Sequence, residues 1–287
     1  MRAVARIPFL VPTPRGAVRG DIRDPLRSRE PVSRVAIVIC HGFKGFKDWG
    51  FFPAAADELA ARVGCPVIGF NFSGSGVGSD LGRFSEPEAF ATATFSGEVA
   101  DLEAVLDGLA AGRLGDAPAP APARIGLLGH SRGAIAASVV AARRPDIGAL
   151  VLWGGLSRPG RYAELFPADS GDDHIVEIRN QRTGEVLPLR RNVADDLRER
   201  GEALDPLVAL GSGGPPLLVV HGGSDEAVPT TDGRAYAAAA SEAEYVEIPG
   251  AGHTFDVRHP YLGATPALVR ALERTADHFR RHLQTES

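Results

Sequence analysis

The pentapeptide Gly-His-Ser-Arg-Gly at residues 129–133 narrows the fold of this chain more than any other feature. An apolar run, Ile125–Leu128, leads into it, and an alanine-rich run, Ala134–Arg143, follows it. This arrangement predicts a strand, a sharp turn and a helix, which is the context of a nucleophile elbow. Small residues let a strained turn pack closely, and a helix N-terminus favours negative charge near the Ser131 hydroxyl. A glycine-rich turn that merely contains a serine is the alternative, so the interpretation depends on the rest of the chain.

Patterns typical of strands and of helices alternate along most of the sequence. Two alternating runs, Arg6–Val11 and Gly16–Ile22, predict an opening antiparallel hairpin. Apolar and often β-branched runs predict further strands at Arg34–Cys40, Cys65–Phe72, Ile125–Leu128, Ala149–Trp153, Pro216–Val220 and Ala243–Ile248. Helical patterns fall at Phe51–Val63, Thr94–Leu109, Ala134–Arg143, Thr231–Ala240 and Thr265–Leu283. The alternation predicts an α/β fold with a mostly parallel sheet, helices on both faces and a site at the carboxyl ends of the strands.

One long segment interrupts this alternation and predicts the domain organisation. Between residues 156 and 214 the sequence suggests a hairpin within Val176–Leu189 and a charged surface helix at Asn192–Leu204. We interpret residues 156–214 as a cap inserted into a core domain of residues 1–155 and 215–287. The Pro/Ala-rich stretch 115–123 predicts a surface connector rather than a domain boundary, because strand and helix alternation resumes after it.

The composition excludes several classes of partner. A formal net charge of -5 argues against a general nucleic-acid binder and against docking on anionic membranes. The first residues contain no apolar run typical of a secretory signal, and no stretch approaches the length of a membrane span. The cysteines, Cys40 and Cys65, lie in or beside strand-like runs and are expected to be buried free thiols. A cytoplasmic protein is therefore expected, with its oligomeric state open and a homodimer among the options.

Two residues downstream of Ser131 complete a pattern suited to nucleophilic catalysis. A serine hydroxyl needs a base to accept its proton and an acid to orient that base. Asp225 follows the strand Pro216–Val220, and His253 lies in the loop after the next strand. The chain order Ser, Asp, His is the one expected on an α/β sheet. Taken alone, Asp225 is equally consistent with a turn or helix cap, and His253 with a surface loop.

The loop after the strand Arg34–Cys40 offers part of an oxyanion hole. Acyl transfer needs N–H donors for the developing oxyanion, and one is expected from Arg132, directly after the serine. The backbone N–H of Phe43 is the second predicted donor, since Gly42 allows a close approach. His41 is expected to be structural, with its ring bonded to the loop.

Rival residues lie close to each predicted one. Glu226 is the rival acid and His259 the rival base. His130 adjoins the nucleophile, but its side chain is expected to point away from the substrate, so we assign it no proton transfer. Phe43, Trp49, Phe51 and Phe52 are candidates to line an acyl pocket, with ordinary core packing as the alternative.

No cofactor or metal site is predicted. The glycine-rich stretch 73–78 has the spacing G-x-G-x-G instead of the dinucleotide-binding pattern. The histidines do not fall into a spacing typical of metal ligands.

Taken together, these motifs resemble those of the α/β-hydrolase superfamily. The motifs are HGFKG at 41–45, NFSGSG at 71–76, GHSRG at 129–133, HGGSDEAVP at 221–229 and GAGHTF at 250–255. Within the superfamily the chain is most similar to the bacterial cinnamoyl/feruloyl esterase-like group, and also to serine aminopeptidase-like and dienelactone-hydrolase-like branches. Arg132 and Lys44 depart from the cinnamoyl esterase pattern. The resemblance implies an eight-stranded, mostly parallel sheet, a cap between the sixth and seventh strands, and ester hydrolysis without a cofactor.

The sequence therefore predicts a serine hydrolase acting on a small-molecule carboxylic ester with a short or small aromatic acyl group. A small-peptide aminopeptidase, an amidase and a thioesterase use the same machinery and remain alternatives. A non-catalytic binding module on the same fold is an alternative of another class. Dehalogenase chemistry is disfavoured, because it needs a carboxylate at position 131.

Overall fold

An eight-stranded sheet forms the centre of the computed structural model, which describes residues 4–25, 34–167, 170–171, 173–180 and 184–284. Its strands are β1 (Val4–Thr13), β2 (Gly16–Pro25), β3 (Val35–Cys40), β4 (Val67–Asn71), β5 (Arg124–His130), β6 (Ile147–Trp153), β7 (Leu217–Gly222) and β8 (Ala243–Ile248). The strand order is β1-β2-β4-β3-β5-β6-β7-β8. Strand β2 is antiparallel to both of its neighbours, and the other neighbouring strands are parallel. The predicted α/β fold with its mostly parallel sheet is confirmed.

Helices cover both faces of the sheet. They are α1 (Phe52–Val63), α2 (Pro87–Ala91), α3 (Phe95–Ala110), α4 (Gly133–Arg143), α5 (Asn192–Arg200), α6 (Pro206–Gly211), α7 (Thr230–Ala239) and α8 (Pro266–Leu283). Helices α1 and α8 share one hydrophobic cluster, and α3 and α4 belong to the other. Alternate residues of the central strands feed the two clusters: Ile125 and Leu127 face α3 and α4, whereas Leu128 faces the opposite side. Successive side chains of a strand point to opposite faces, and both faces of these strands are covered by helices, so the strands are apolar on both sides.

Side chains define where the long helices begin. The hydroxyl of Thr94 accepts a hydrogen bond from the Gly97 N–H at 3.1 Å, which caps α3. Thr265 caps α8 in the same way, accepting from the Leu268 N–H at 3.0 Å. Capping satisfies donors that have no partner inside the helix.

The segment between β6 and β7 adds no strand to the main sheet among its described residues. It contains 3₁₀ turns at Pro159–Leu165 and Gly201–Leu204, a hairpin of Ile175–Arg179 with Val186–Arg190, and helices α5 and α6. Thr183, in the predicted hairpin turn, lies outside the described residues. The predicted helix 192–204 is shorter than expected, because Gly201 has a φ of 47° and a 3₁₀ turn follows.

Contacts with α2 and α3 hold this segment against the core. The Asp196 carboxylate on α5 accepts hydrogen bonds from both the N–H and the hydroxyl of Ser96, in the first turn of α3. Arg190, at the end of the hairpin, pairs with Glu88 on α2 at 2.9 Å. The short helices α2 and α6 were not predicted, since five or six residues give too little periodicity to recognise.

Two further expectations concern the connector and the cysteines. In the Pro/Ala-rich connector, Ala117–Pro118 pairs with Arg113–Leu114 outside the main sheet. Cys40 and Cys65 are buried thiols that form no disulfide, as predicted. None of the helices in the described ranges is long and apolar enough to cross a membrane.

A buried carboxylate ties the loop after β4 to the helix beneath it, and we expect it to contribute to stability. Asp101 on α3 accepts hydrogen bonds from the N–H and hydroxyl of Ser73 at 2.8 and 2.7 Å, and pairs with Arg15 at 2.9 Å. Asp101→Asn removes the charge of a buried acceptor and should lower the free energy of unfolding by about 1–3 kcal/mol. Asp107→Asn on the same helix breaks only an exposed pair with Arg144 and should cost less than about 1 kcal/mol. Urea unfolding of both variants measures the difference, and equal stability losses would contradict the role given to Asp101.

Candidate active site

Ser131 stands on a strained turn directly after β5. Its φ of 56° lies in the left-handed region, which costs a residue with a side chain about 1–3 kcal/mol. Three backbone hydrogen bonds offset this cost. The Ser131 N–H donates to the Trp153 carbonyl at 3.0 Å, and the Ser131 carbonyl accepts from Ala134 and Leu156, both at 3.1 Å. The neighbouring strand and the next helix thus hold the turn in place.

The glycines around Ser131 are required by close backbone contacts. A Cβ at Gly129 would lie 2.7 Å from the Ala134 Cα, and one at Gly133 would lie 2.4 Å from the His41 carbonyl oxygen. A Cβ at Gly42 would lie 2.8 Å from the Ser131 Cβ. Since real Cβ contacts are longer, larger residues at these positions would displace the turn or the loop beside it. The loop after β3 therefore lies directly against the serine.

Asp225 and His253 form a short hydrogen bond beside this turn. The Nδ1–H of His253 donates to the Asp225 Oδ2 at 2.7 Å. The Asp225 side chain is completely buried, whereas that of His253 is 11% exposed. A neutral imidazole carries one proton, and the bond to Asp225 places that proton on Nδ1. Nε2 of the neutral ring is then an acceptor. The ring can therefore accept a proton at Nε2 while the carboxylate stabilises the resulting charge.

Backbone donors and a second histidine keep the acid ionised. The Asp225 Oδ1 accepts from the N–H groups of Ala227 and Val228, each at 2.9 Å. His221 is buried, with its Nε2 3.4 Å from the Asp225 Oδ2 and 3.0 Å from the Val228 carbonyl oxygen. Burial raises the pKa of Asp225, but the hydrogen bonds from His221 and His253 outweigh it and hold this pKa well below its usual range.

The rival acid and base lie in different surroundings. Glu226 is exposed at the edge of the cleft, while Asp225 is the carboxylate that contacts His253. His259 accepts a hydrogen bond from the Gly50 N–H at 3.0 Å and stacks on Trp49. These contacts connect His259 with the loop before α1 instead of with the serine.

Three residues beside the Asp225–His253 pair were not recognised from the sequence as part of the site. Gly154 has a φ of 50°, and a Cβ there would lie 3.1 Å from the Asp225 Oδ2 and 3.3 Å from the His253 Nδ1. The His130 Nε2–H donates to the His253 carbonyl at 3.1 Å, and the two rings are 4.8 Å apart. His221 is the third, through its contact with the acid. Each of the three residues lies at the carboxyl end of a buried strand or directly after it. That position was the only sign in the sequence that they belong to the site.

The loop after β3 is held by the ring of His41, as predicted. Its Nδ1–H donates to the Gly42 carbonyl at 2.9 Å, and its Nε2 accepts from the Phe72 N–H at 3.3 Å. Burial lowers the pKa of His41 to about 4, so the ring is neutral and Nε2 can act as an acceptor. The ring thereby fixes the backbone on which Phe43 stands.

A cleft of about 330 Å³ contains both Ser131 and His253. Its other lining residues are Phe43, Lys44, Leu156, Arg161, Tyr162, Asn180, Glu226, Ala227 and Val228. Of the four aromatic residues considered for an acyl pocket, only Phe43 lines it. Trp49, Phe51 and Phe52 are buried on the face covered by α1 and α8, because the loop turns them into that hydrophobic cluster. Among the described residues no group of three or more His, Cys, Asp or Glu side chains could hold a metal ion.

Solved structures of hydrolases share this fold. The esterase domain of a Rhodothermus marinus protein superposes with a TM-score of 0.66 at 19% identity, covering 98% of this chain and all of that one. Est1E from Butyrivibrio proteoclasticus gives a TM-score of 0.67 at 19% identity, covering 94% of this chain and 96% of that one. A puromycin-hydrolyzing peptidase of Mycobacterium tuberculosis gives 0.65 at 18% identity, covering 99% of this chain and 40% of that one.

A curated relative and a family model place the chain in its family. The uncharacterized protein Rv2307c of Mycobacterium tuberculosis is 32% identical over 222 residues, which are 76% of this chain. The chain covers 62% of that relative, less than two thirds of its length. The model of the alpha/beta hydrolase family matches residues 37–271. Since this match spans most of the sheet and every residue of the proposed site, the chain belongs to the alpha/beta hydrolase family.

Proposed function

We propose that this protein is a serine hydrolase that cleaves small carboxylic esters. The observation that carries the proposal is the 2.7 Å bond between Asp225 and His253, with His253 facing the same cleft as the strained Ser131. A nucleophile, a base and an orienting acid are the three groups that acyl transfer through serine requires.

In the proposed mechanism Ser131 attacks the ester carbonyl carbon while His253 accepts the hydroxyl proton at Nε2. The tetrahedral intermediate then collapses, the bond to the alkoxy oxygen breaks, and His253 gives its proton to the departing alcohol. Water then attacks the acyl-enzyme while His253 accepts one of its protons. When the second intermediate collapses, the bond between the acyl carbon and the Ser131 oxygen breaks, and His253 gives that proton to Ser131, which releases the carboxylic acid. Asp225 stays ionised throughout and stabilises the imidazolium form of His253.

The oxyanion of each intermediate is assigned to backbone donors. The N–H of Arg132 follows the serine at the start of α4, and the N–H of Phe43 belongs to the loop that lies against Ser131. The positive end of the α4 dipole adds to this stabilisation, since it points toward the developing charge. Neither donor depends on its side chain for the hydrogen bond itself.

The cleft favours a small acyl group. Phe43, Leu156, Tyr162 and Val228 offer apolar contact, whereas charged residues stand beside them in the same lining. A volume of about 330 Å³ is at the lower end of the range for small-molecule sites, so a long acyl chain would extend into solvent. Est1E, which shares the fold, has been solved with ferulic acid bound, an observation that concerns that protein. We assign short-chain and single-ring aromatic esters to this chain.

Ser131→Ala tests the nucleophile. A fluorophosphonate probe should label the native protein and fail to label the variant, because the phosphorus must bond to the Ser131 oxygen. Thermal unfolding checks that the variant is folded, and a Ser157→Ala variant serves as a control for a second serine after a neighbouring strand. Labelling that persists without the Ser131 hydroxyl would contradict the assignment.

The pH profile and two pairs of variants test the base and acid. Only the neutral imidazole of His253 can accept the serine proton, so kcat/KM should rise with pH. Asp225 should add no second step, because its pKa is held well below the range in which the enzyme is assayed.

His253→Ala and Asp225→Asn should each lower kcat by about a thousandfold or more. The matched changes His259→Ala and Glu226→Gln should leave it within about threefold, since neither side chain contacts the acid–base pair. Steady-state kinetics on one ester decides between the assignments. A larger loss in His259→Ala or Glu226→Gln would identify the rival residue instead.

Acyl-chain length tests the substrate class. On p-nitrophenyl esters, kcat/KM for the butyryl ester should exceed that for the palmitoyl ester by about tenfold or more. Replacing residues 176–189 by a short Gly-Ser linker removes Asn180 from the cleft lining and should broaden the acyl range more than it slows acetyl ester hydrolysis. A native enzyme that prefers palmitoyl esters, or aminoacyl anilides as a peptidase would, contradicts this assignment.

A further inference from the structure

The side chain of Arg132 lies in the interior, although the residue directly follows the nucleophile. It is 1% exposed, and its Nε is 2.9 Å from the Glu98 Oε1 on α3. Burial lowers the pKa of Arg132, but the nearby Glu98 and Tyr162 raise it by more. The net pKa is therefore raised, and the guanidinium remains charged. Burying a cation is costly unless its surroundings compensate.

Aromatic rings surround this guanidinium where hydrogen-bond acceptors are usual. Its central carbon is 4.0 Å from the ring centre of Phe95, 4.8 Å from that of Tyr162 and 5.1 Å from that of Phe43. The Glu98 carboxylate and the Tyr162 hydroxyl lie beside the guanidinium, but none of its three nitrogens has a hydrogen-bond partner of normal geometry among the described residues. Cation–π attraction to several desolvated rings therefore supplies much of the compensation.

The rings belong to three different parts of the site. Phe43 stands on the loop after β3, Tyr162 on the 3₁₀ turn that begins the segment after β6, and Phe95 in the first turn of α3. Tyr162 lies edge-on to Phe43 and Phe95, with ring centres 5.2 Å apart in both pairs. Phe43 and Tyr162 also line the cleft, whereas Phe95 does not. One buried cation thus contacts rings from α3, from the loop after β3 and from the 3₁₀ turn after β6.

We propose that the Arg132 guanidinium is a positioning residue that sets the two backbone donors of the oxyanion hole relative to Ser131. One of these donors is the N–H of Arg132 itself, and the other is the N–H of Phe43, whose ring rests on the guanidinium. The inference rests on the proposed acyl transfer at Ser131. The side chain contacts no substrate and acts through the loop it holds.

This role predicts a defect in kcat instead of KM. Oxyanion donors bind more strongly in the transition state than in the ground state, so displacing them slows the reaction with little change in substrate binding. A displacement on the order of 1 Å is enough to cost about 10- to 100-fold in rate. A purely structural ion pair would affect the melting temperature and leave kcat of the folded enzyme unchanged.

The first test replaces the pair together, as Arg132→Met with Glu98→Gln, so that no buried charge loses its partner. Removing both charges avoids the unpaired buried ion that makes a single change costly, and Tm should stay within about 5 °C of the native value. We expect kcat on the butyryl ester to fall about 10- to 100-fold, with KM within about threefold. Arg144→Met, the same substitution at the other end of α4, should leave kcat within about twofold, since Arg144 pairs with Asp107 and Asp146, and none of the three lines the cleft.

The second test reaches the same cluster without changing a charge. Phe95→Leu removes the ring closest to the guanidinium, and Phe95 does not line the cleft. It should lower kcat with KM unchanged, and should add little when combined with the Arg132→Met and Glu98→Gln changes, because coupled residues are not additive. If the paired variant fails to fold, the kcat and KM of Phe95→Leu decide the question alone.

The outcomes separate this inference from the proposed function. Native turnover that requires Ser131, together with folded variants whose kcat stays within about twofold, overturns the positioning role and leaves the serine hydrolase intact. A rise in KM without a fall in kcat overturns it as well. A native protein with no turnover that depends on Ser131 overturns the proposed function and this inference together.

Discussion

The left-handed backbone of Ser131 is the constraint around which the site is built. This conformation costs free energy in a residue with a side chain, and it persists only where neighbouring structure enforces it. Here β6, α4 and the loop after β3 all contact the turn. Glycines at 42, 129 and 133 exist because a Cβ at each would strike the turn or the backbone that supports it. The position of the Ser131 backbone therefore follows from the packing of the sheet, α4 and the loop after β3.

Charge inside the protein is managed in two different ways. Asp225 is surrounded by N–H donors and histidine rings, which favour its ionised form and suit it to stabilise a transient cation. Arg132 is surrounded by aromatic faces and by Glu98, so its charge is compensated with few hydrogen bonds. In the proposed mechanism the first arrangement acts on the proton transfer, whereas the second brings together elements that are distant in the chain.

Much of the fold was predictable because it depends on local periodicity. Buried strands such as Val35–Cys40 are apolar on both faces, and the long helices α3 and α8 begin at threonine caps visible in the sequence. The short helix Pro87–Ala91 was missed, since a single turn and a half has no period to detect. Phe51 and Phe52 were considered for the acyl pocket, and they pack in the core, because residue type alone carries no information about which side of a loop a ring faces.

The sequence by itself determined the succession of strands and helices along the chain and the glycines of the elbow. It also supplied the serine, aspartate and histidine that are proposed to act together. These features are local, or follow from the rule that parallel strands bring their carboxyl ends to one edge. Only the tertiary structure decided that Gly154 and His221 lie against the Asp225–His253 pair, and that Arg132 turns inward to meet rings from three separate segments. Those choices depend on distances across the fold, which side-chain packing and burial set and which no spacing along the chain encodes.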